Sequence, residues 1–147
     1  MEVLLKDVGI EGMDPYSEDV YEYSVVLQLE SGKKITIGEY SGEDLNPYIG
    51  KKIKCLIGLG GVEVIDISLN PNVNLLYWSI IKGKYIKQYK IPLEWKDYSN
   101  EIRSVIQTPD GVFILGFLNL EKFKIKDGDE IIVDIKRYDL LEWYIIN

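Results

Sequence analysis

The stretch Ser24-Val25-Val26-Leu27-Gln28 indicates the fold, because it is typical of one strand of a β-hairpin and recurs later as Ser104-Val105-Ile106-Gln107. Matched glycines follow both copies: Gly38 and Gly50 after the first, Gly116 and Gly128 after the second. An internal repeat, where it is real, decides the whole architecture. Strands and glycine turns also recur in any all-β chain. Duplication of one small β unit and chance similarity therefore both stay open.

Two residue types are missing from the 147 residues: alanine and histidine. Alanine is the best helix former, whereas the abundant isoleucine, valine and tyrosine fit a pleated sheet. Without histidine, the commonest general base and the commonest transition-metal ligand are lacking, which excludes Ser-His-Asp catalysis, Cys-His catalysis and ordinary zinc sites. The composition predicts a β protein, and we expect no catalytic residues, no cofactor and no metal site.

Alternating apolar and polar residues between glycine and proline turns predict about ten strands and almost no helix. We expect an all-β fold: two similar small OB-like or SH3-like barrels of about five strands in tandem, or one merged β-sandwich, with at most one or two short helical segments. The turn Asn70-Pro71-Asn72 predicts a boundary between a first barrel-like half, residues 1–70, and a second, residues 71–147, unless the two form one continuous domain.

The segment from Phe123 to Val133 contains a Gly-Asp turn that leads into an apolar strand. It resembles the corresponding segment of many small barrels, including the cradle-loop barrels of archaeal riboflavin kinases and of AbrB-like proteins. The resemblance implies a small barrel. The Thr-Leu-Asn phosphate-site phrase and the glycine-rich N-terminus of those kinases are not found in this chain, so the resemblance implies no activity.

The net charge of −7 comes entirely from the first half of the chain. Residues 1–70 contain six lysines and thirteen acidic residues, and residues 71–147 contain eleven residues of each sign. The sequence has neither a long apolar run nor a signal-peptide pattern, which predicts a cytoplasmic protein and no membrane partner. Cys55 is the single cysteine and stands in a predicted strand, so we expect it in the core.

The segment from residue 75 to residue 91 is basic and aromatic within an acidic chain. Rings beside lysines can bind single-stranded nucleic acid by stacking on bases and contacting phosphates, whereas lysines on an edge strand also protect it against aggregation. Both interpretations stay open for the candidate binding ribbon, which consists of Tyr77, Trp78, Lys82, Lys84, Tyr85, Lys87, Tyr89 and Lys90.

An acidic loop interleaved with tyrosines follows the first predicted strand. Tyrosine is enriched at protein interfaces, and a long loop in a small barrel is commonly functional. A solvated surface loop is the simpler interpretation. The candidate docking loop consists of Asp14, Tyr16, Glu18, Asp19 and Tyr21.

These features favour a non-catalytic binding or assembly module that acts through protein–protein contacts, with a protein partner or self-association expected first. The alternative is a protein that binds single-stranded nucleic acid through the Lys and Tyr residues between positions 84 and 90. A small-molecule enzyme that uses carboxylates is a second alternative.

Overall fold

The computed structural model describes residues 1–66, 68–69, 71–75, 77–116 and 124–146, apart from the side chain of Tyr21. Within these ranges the chain forms ten strands and one short 3-10 helix at Asn46–Tyr48, and no helix is long and apolar enough to cross a membrane. The predicted all-β fold is confirmed. The strands are β1 (Glu2–Met13), β2 (Val20–Gln28), β3 (Lys34–Glu39), β4 (Lys52–Gly60), β5 (Glu63–Ile65), β6 (Ile80–Lys90), β7 (Ile102–Thr108), β8 (Gly111–Leu115), β9 (Glu130–Asp134) and β10 (Arg137–Ile145).

Among the described strands, five close into a barrel in the order β1-β2-β3-β10-β4, with β4 returning to β1. The β3–β10 pair is parallel, and the other neighbours in the barrel are antiparallel. This strand order is that of OB-type barrels. The predicted five-stranded barrel is therefore confirmed, and its last strand comes from the far end of the chain.

The other described strands extend the sheet beyond the barrel in the order β8-β7-β6-β9-β5. They join the barrel through β4, which pairs in parallel with β8 over residues 57–59. β4 therefore belongs to both groups of strands. Apolar side chains cover both of its faces. This position explains why Cys55, Leu56 and Ile57 are buried in succession instead of alternating between core and solvent.

β4 and β5 together lie antiparallel to β9 and β10 as one long ribbon. β4 pairs with β10 along its length, and β5 pairs with residues 132–134 of β9. Between the two pairings, the amide of Lys136 donates a hydrogen bond to the carbonyl of Gly60 (3.0 Å). The halves of the chain are therefore joined by strand pairing. The division into residues 1–70 and 71–147 stays a prediction.

The repeat in the sequence has counterparts in the backbone. Gly50 and Gly128, which the repeat aligns, both adopt a positive φ (+87° and +89°) that glycine tolerates without strain. The three apolar positions that follow each glycine at alternate sites are buried: Ile53, Cys55 and Ile57 after the first, and Ile131, Val133 and Ile135 after the second. These likenesses agree with a duplicated unit, and the duplication itself stays a prediction.

Apolar side chains pack on both faces of β4. The main core lies on the face of Cys55 and Ile57, where it fills the barrel and continues under β6, β8 and β9. A smaller core lies on the opposite face, because neighbouring residues of a strand point to opposite sides. It consists of Leu56, Ile91, Trp95, Val105 and Ile114.

Two segments differ from what the sequence suggests: the apolar run that leads into β6, and the acidic loop between β1 and β2. Residues 75 and 77–79 form turns, and β6 begins only at Ile80. β1 continues to Met13 and β2 begins at Val20, so the acidic loop is a short hairpin connection and not a long excursion. A short apolar run such as that before Ile80 does not by periodicity alone establish a strand, and here its residues Leu75, Tyr77 and Trp78 are exposed.

Ile57 tests the position of β4, because its side chain is fully buried (0% exposed) in the main core. Ile57→Ala should lower the free energy of unfolding by about 2–5 kcal/mol, through lost burial and the cavity left behind. Ile10→Ala is the matched control, since Ile10 lies in β1 and is 59% exposed, and it should change stability by less than about 0.5 kcal/mol. Urea denaturation measures both variants. Equal effects would contradict the place of β4 at the junction.

Candidate functional site

A cleft of about 1010 Å³ opens where the two halves of the chain meet. Its rim is formed by the β2–β3 turn, the residues that precede and begin β6, and the β7–β8 turn. The buried side chains of Phe113 and Tyr138 form its floor. A volume of this size is in the range of pockets that bind small organic molecules.

Asp110 ties the two turns that face each other across the rim. Its Oδ1 accepts a hydrogen bond from the amide of Ser31 (2.8 Å), and its Oδ2 accepts one from the Ser31 hydroxyl (2.9 Å). Within its own turn, the amide of Asp110 donates to Oγ1 of Thr108 (3.2 Å). This pair of contacts sets the width of the cleft, because it joins a turn of the barrel to a turn of the extra strands.

Aromatic side chains line one wall of the cleft. The ring of Tyr138 lies 6.0 Å from that of Trp78 and 6.1 Å from that of Phe113, both tilted, in the geometry that aromatic pairs prefer. The hydroxyl of Tyr138 donates to the carbonyl of Trp78. Burial raises the pKa of Tyr138, so the hydroxyl keeps its proton and this hydrogen bond. Trp78 is 46% exposed and thus has a ring surface that a ligand can contact.

Three lysines line the same cleft: Lys33, Lys34 and Lys82. Lys33 is half-buried, and its ammonium group donates to the carbonyl of Ile80. Burial lowers the pKa of Lys33, and the charge of Asp110 partly offsets that effect. Among the described residues, none of the three lysines has a carboxylate within 4.0 Å. The cleft therefore combines an apolar wall with cationic groups that lack an ion-pair partner.

The candidate binding ribbon is divided by the structure. Tyr77, Trp78 and Lys82 line the cleft, but Tyr77 and Trp78 lie in turns before β6 and not on the strand. Tyr85 is 6% exposed and belongs to the main core, whereas Tyr89 packs against the smaller core. A register shift between residues 86 and 89 separates them.

The exposed lysines of β6, which are Lys84, Lys87 and Lys90, therefore do not alternate with a face of free rings. Strict alternation along a strand would put Tyr85, Lys87 and Tyr89 on one face, but the register shift between Ile86 and Tyr89 breaks that alternation. β6 is also an interior strand, paired with both β7 and β9.

The candidate docking loop is a compact turn that joins β1 to β2, and none of its described residues lines the cleft. Oδ1 of Asp14 accepts hydrogen bonds from the amides of Tyr16 (2.8 Å) and Ser17 (3.0 Å), which lower its pKa. Glu18 takes a positive φ of +61°, and the amide of Asp14 donates to the carbonyl of Asp19 (2.8 Å). Tyr16 is exposed, and the side chain of Tyr21 lies outside the described part.

Sequence reasoning missed the residues that give the cleft its shape and charge: Ser31, Lys33, Asp110 and Tyr138. They come from turns and strands that are distant in sequence, and no local spacing connects them. The available signal was the pair Lys33-Lys34 directly after a hairpin glycine, where a positive charge stands at the tip of a strand. In the part of the chain that the structure describes, no three His, Cys, Asp or Glu side chains are grouped to hold a metal ion.

Comparison with known proteins shows that the fold of this chain is similar to one that has been solved. The sequence matches no family model and no curated protein. Among solved structures, the chain is similar to the cytoplasmic molybdate-binding protein ModG, in a form with molybdate bound. The similarity has a TM-score of 0.51 at 14% sequence identity and covers 97% of this chain and 92% of ModG. At this identity it establishes the fold.

The expected protein or single-stranded nucleic-acid partner is corrected by this comparison. ModG binds molybdate, a small inorganic anion, and the similarity to it argues against a protein or nucleic-acid partner. The division of the candidate ribbon agrees with the correction, because the ring of Tyr85 is buried in the main core and that of Tyr89 is partly buried against the smaller core.

Cys55 should be inert toward alkylation in the folded protein. Its side chain is 1% exposed, and burial raises the pKa of the thiol to about 12, so the reactive thiolate is scarce at pH 8. Iodoacetamide labelling followed by mass spectrometry should show slow modification of native protein and fast modification in urea. Rapid labelling of native protein would place Cys55 outside the core.

Proposed function

We propose that this protein is a non-catalytic binding protein for a small organic anion, which it holds in the cleft between its two halves. The observation that carries the proposal is Lys33, a half-buried cation without an ion-pair partner among the described residues, beside the aromatic wall of Trp78 and Tyr138. The ligand class follows from these two neighbours: a negative group for the lysine and a flat apolar part for the rings.

Electrostatics favours an anion over a neutral ligand. Removing an ammonium group from water is unfavourable unless another charge or several acceptors replace the water. Lys33 has one carbonyl acceptor, that of Ile80, although its ammonium group has three donors. A bound anion would supply the missing acceptors, and the exposed Lys34 and Lys82 would add attraction at the rim.

The aromatic wall favours a ligand with a flat apolar part. Trp78 and Tyr77 are 46% and 62% exposed, so both rings have surface left to cover. Covering apolar surface contributes about 25 cal/mol for each Å² removed from water, and stacked rings add to this. An inorganic anion alone would leave that surface exposed and most of the cleft filled with water.

Two further points support binding without catalysis. Within the described ranges of the chain, two carboxylates line the cleft, those of Asp110 and Glu130. Both oxygens of Asp110 accept hydrogen bonds from Ser31, so this carboxylate is engaged in holding the turns. The similar protein ModG is itself described as a binding protein, and as cytoplasmic. We keep the cytoplasm as the proposed compartment.

Isothermal titration calorimetry with three probes separates the contributions. 1-Naphthyl phosphate carries a ring and a charge, 1-naphthol carries the ring alone, and molybdate is an anion without a ring. For the binding that Lys33→Gln weakens, which is the binding in this cleft, the proposal predicts saturation by 1-naphthyl phosphate and much weaker affinity for both 1-naphthol and molybdate. Equal affinity for 1-naphthyl phosphate and 1-naphthol would contradict the proposal, since it would show that the lysines contribute nothing.

Lys33→Gln should weaken the binding of 1-naphthyl phosphate roughly 10- to 150-fold, because a hydrogen bond to a charged group contributes about 1.5–3 kcal/mol. Lys6→Gln is the matched control: it removes the same charge from an exposed position in β1 outside the cleft, and should leave affinity nearly unchanged at 150 mM salt, where distant charges are screened. Equal losses in the two variants would show that net charge, and not the cleft, is responsible.

A further inference from the structure

A second cleft, of about 460 Å³, lies on the opposite face of the β4–β10 pair. Arg137 and Asp139 line it, whereas Tyr138 between them points into the first cleft. Among the described residues, the two clefts have no lining residue in common. The sequence contains two arginines, Arg103 and Arg137, and both line this second cleft.

The sheet places the two arginines at opposite ends of one row that crosses four strands. Arg137 lies directly opposite Gly60 in the β4–β10 pair. The parallel register of β4 and β8, continued by one residue, sets Gly60 beside Gly116. The antiparallel register of β7 and β8, continued by two residues beyond the pair Val105–Ile114, sets Gly116 opposite Arg103. Residues of one row share a face, so the row is Arg103, Gly116, Gly60, Arg137.

The two central glycines place no side chain of their own in the middle of this row. Three strand spacings of about 4.8 Å put the Cα atoms of the arginines roughly 14 Å apart, a span that two long side chains can reach across from both ends. A Cβ atom at Gly60 would stand 2.6 Å from Nε of Arg137. Glycine at position 60 is therefore what allows the Arg137 side chain to lie flat over the strand.

Neighbouring carboxylates hold each guanidinium group while leaving most of its donors free. Glu101 lies 2.9 Å from Nε and 2.8 Å from Nη2 of Arg103, and Asp139 lies 3.2 Å from Nε of Arg137. A guanidinium group has five N–H donors in a fixed planar fork that matches the oxygens of phosphate. After these contacts, about three donors of Arg103 and about four of Arg137 are available to a ligand.

We propose that this second cleft binds a tetrahedral oxyanion of the phosphate and sulfate class between the forks of Arg103 and Arg137, over the floor of Gly60 and Gly116. The carboxylates of Glu101 and Asp139 orient the two forks. This site is independent of the aromatic cleft: it needs neither a ring on the ligand nor Lys33.

Calorimetry with inorganic phosphate tests the proposal on the full chain. Wild-type protein should bind phosphate saturably, and Arg103→Lys and Arg137→Lys should each weaken binding about tenfold or more, because lysine keeps the charge but lacks the fork. Lys6→Gln is the control, since Lys6 is exposed and lies outside both clefts, and it should bind phosphate as the wild type does.

Two results would overturn the proposal. Absence of saturable phosphate binding by the wild type would overturn the proposal. Phosphate binding that Lys33→Gln abolishes and both arginine variants retain would also overturn it, because the anion would then sit in the aromatic cleft. Arg137 has a 67% exposed side chain, so its lysine variant should fold normally, and urea denaturation of every variant checks this point.

Discussion

The pairing of β10 with β4 is the constraint on which the rest of the structure depends. β10 lies between β3 and β4 and closes the barrel, while β4 continues into the extra strands through its pairing with β8. Without this pair, the barrel would have two open edges, and the buried side chains of β4 would lose their cover on one side. The two halves of the chain therefore depend on each other for their cores.

The alternation of side chains along the same pair produces both clefts. Tyr138 points to one face, where it meets Trp78 and Phe113, and the residues on either side of it, Arg137 and Asp139, point to the other. The two faces consequently differ in chemistry. One face has aromatic rings and the half-buried Lys33, which suits an organic anion. The other offers planar forks over glycines, which suits a compact oxyanion.

Much of the fold could be predicted from the sequence. The lack of alanine, the abundance of β-branched residues and the regular glycines identified an all-β protein with a small barrel, because these signals are local. The closing of the barrel by the C-terminal strand could not be predicted, since which strands pair depends on contacts between distant segments. Gly60 was visible as a glycine in a predicted strand, but its place beneath the Arg137 side chain required the register.

The candidate site was less predictable for the same reason. The basic and aromatic segment did contain Tyr77, Trp78 and Lys82, three residues that line the first cleft. Strict alternation would put its other rings, those of Tyr85 and Tyr89, on one free face of β6. The register shift between residues 86 and 89 prevents this. Lys33, the lysine on which the proposal rests, lies in another hairpin. Nothing in the sequence around it indicates which residues it meets in the cleft.

The charge state of Lys33 tests the central claim most directly, because the account makes this half-buried lysine the cation that pairs with the bound anion. Carbon-13 NMR of the lysine Cε signals, with the Lys33 signal identified by its loss in Lys33→Gln, gives its pKa with and without 1-naphthyl phosphate. In the free protein the pKa should lie below the ordinary value of 10.5, because burial disfavours the charged form. Saturating ligand should raise it, because a bound anion favours the charged form. A pKa that the ligand leaves unchanged would contradict the account.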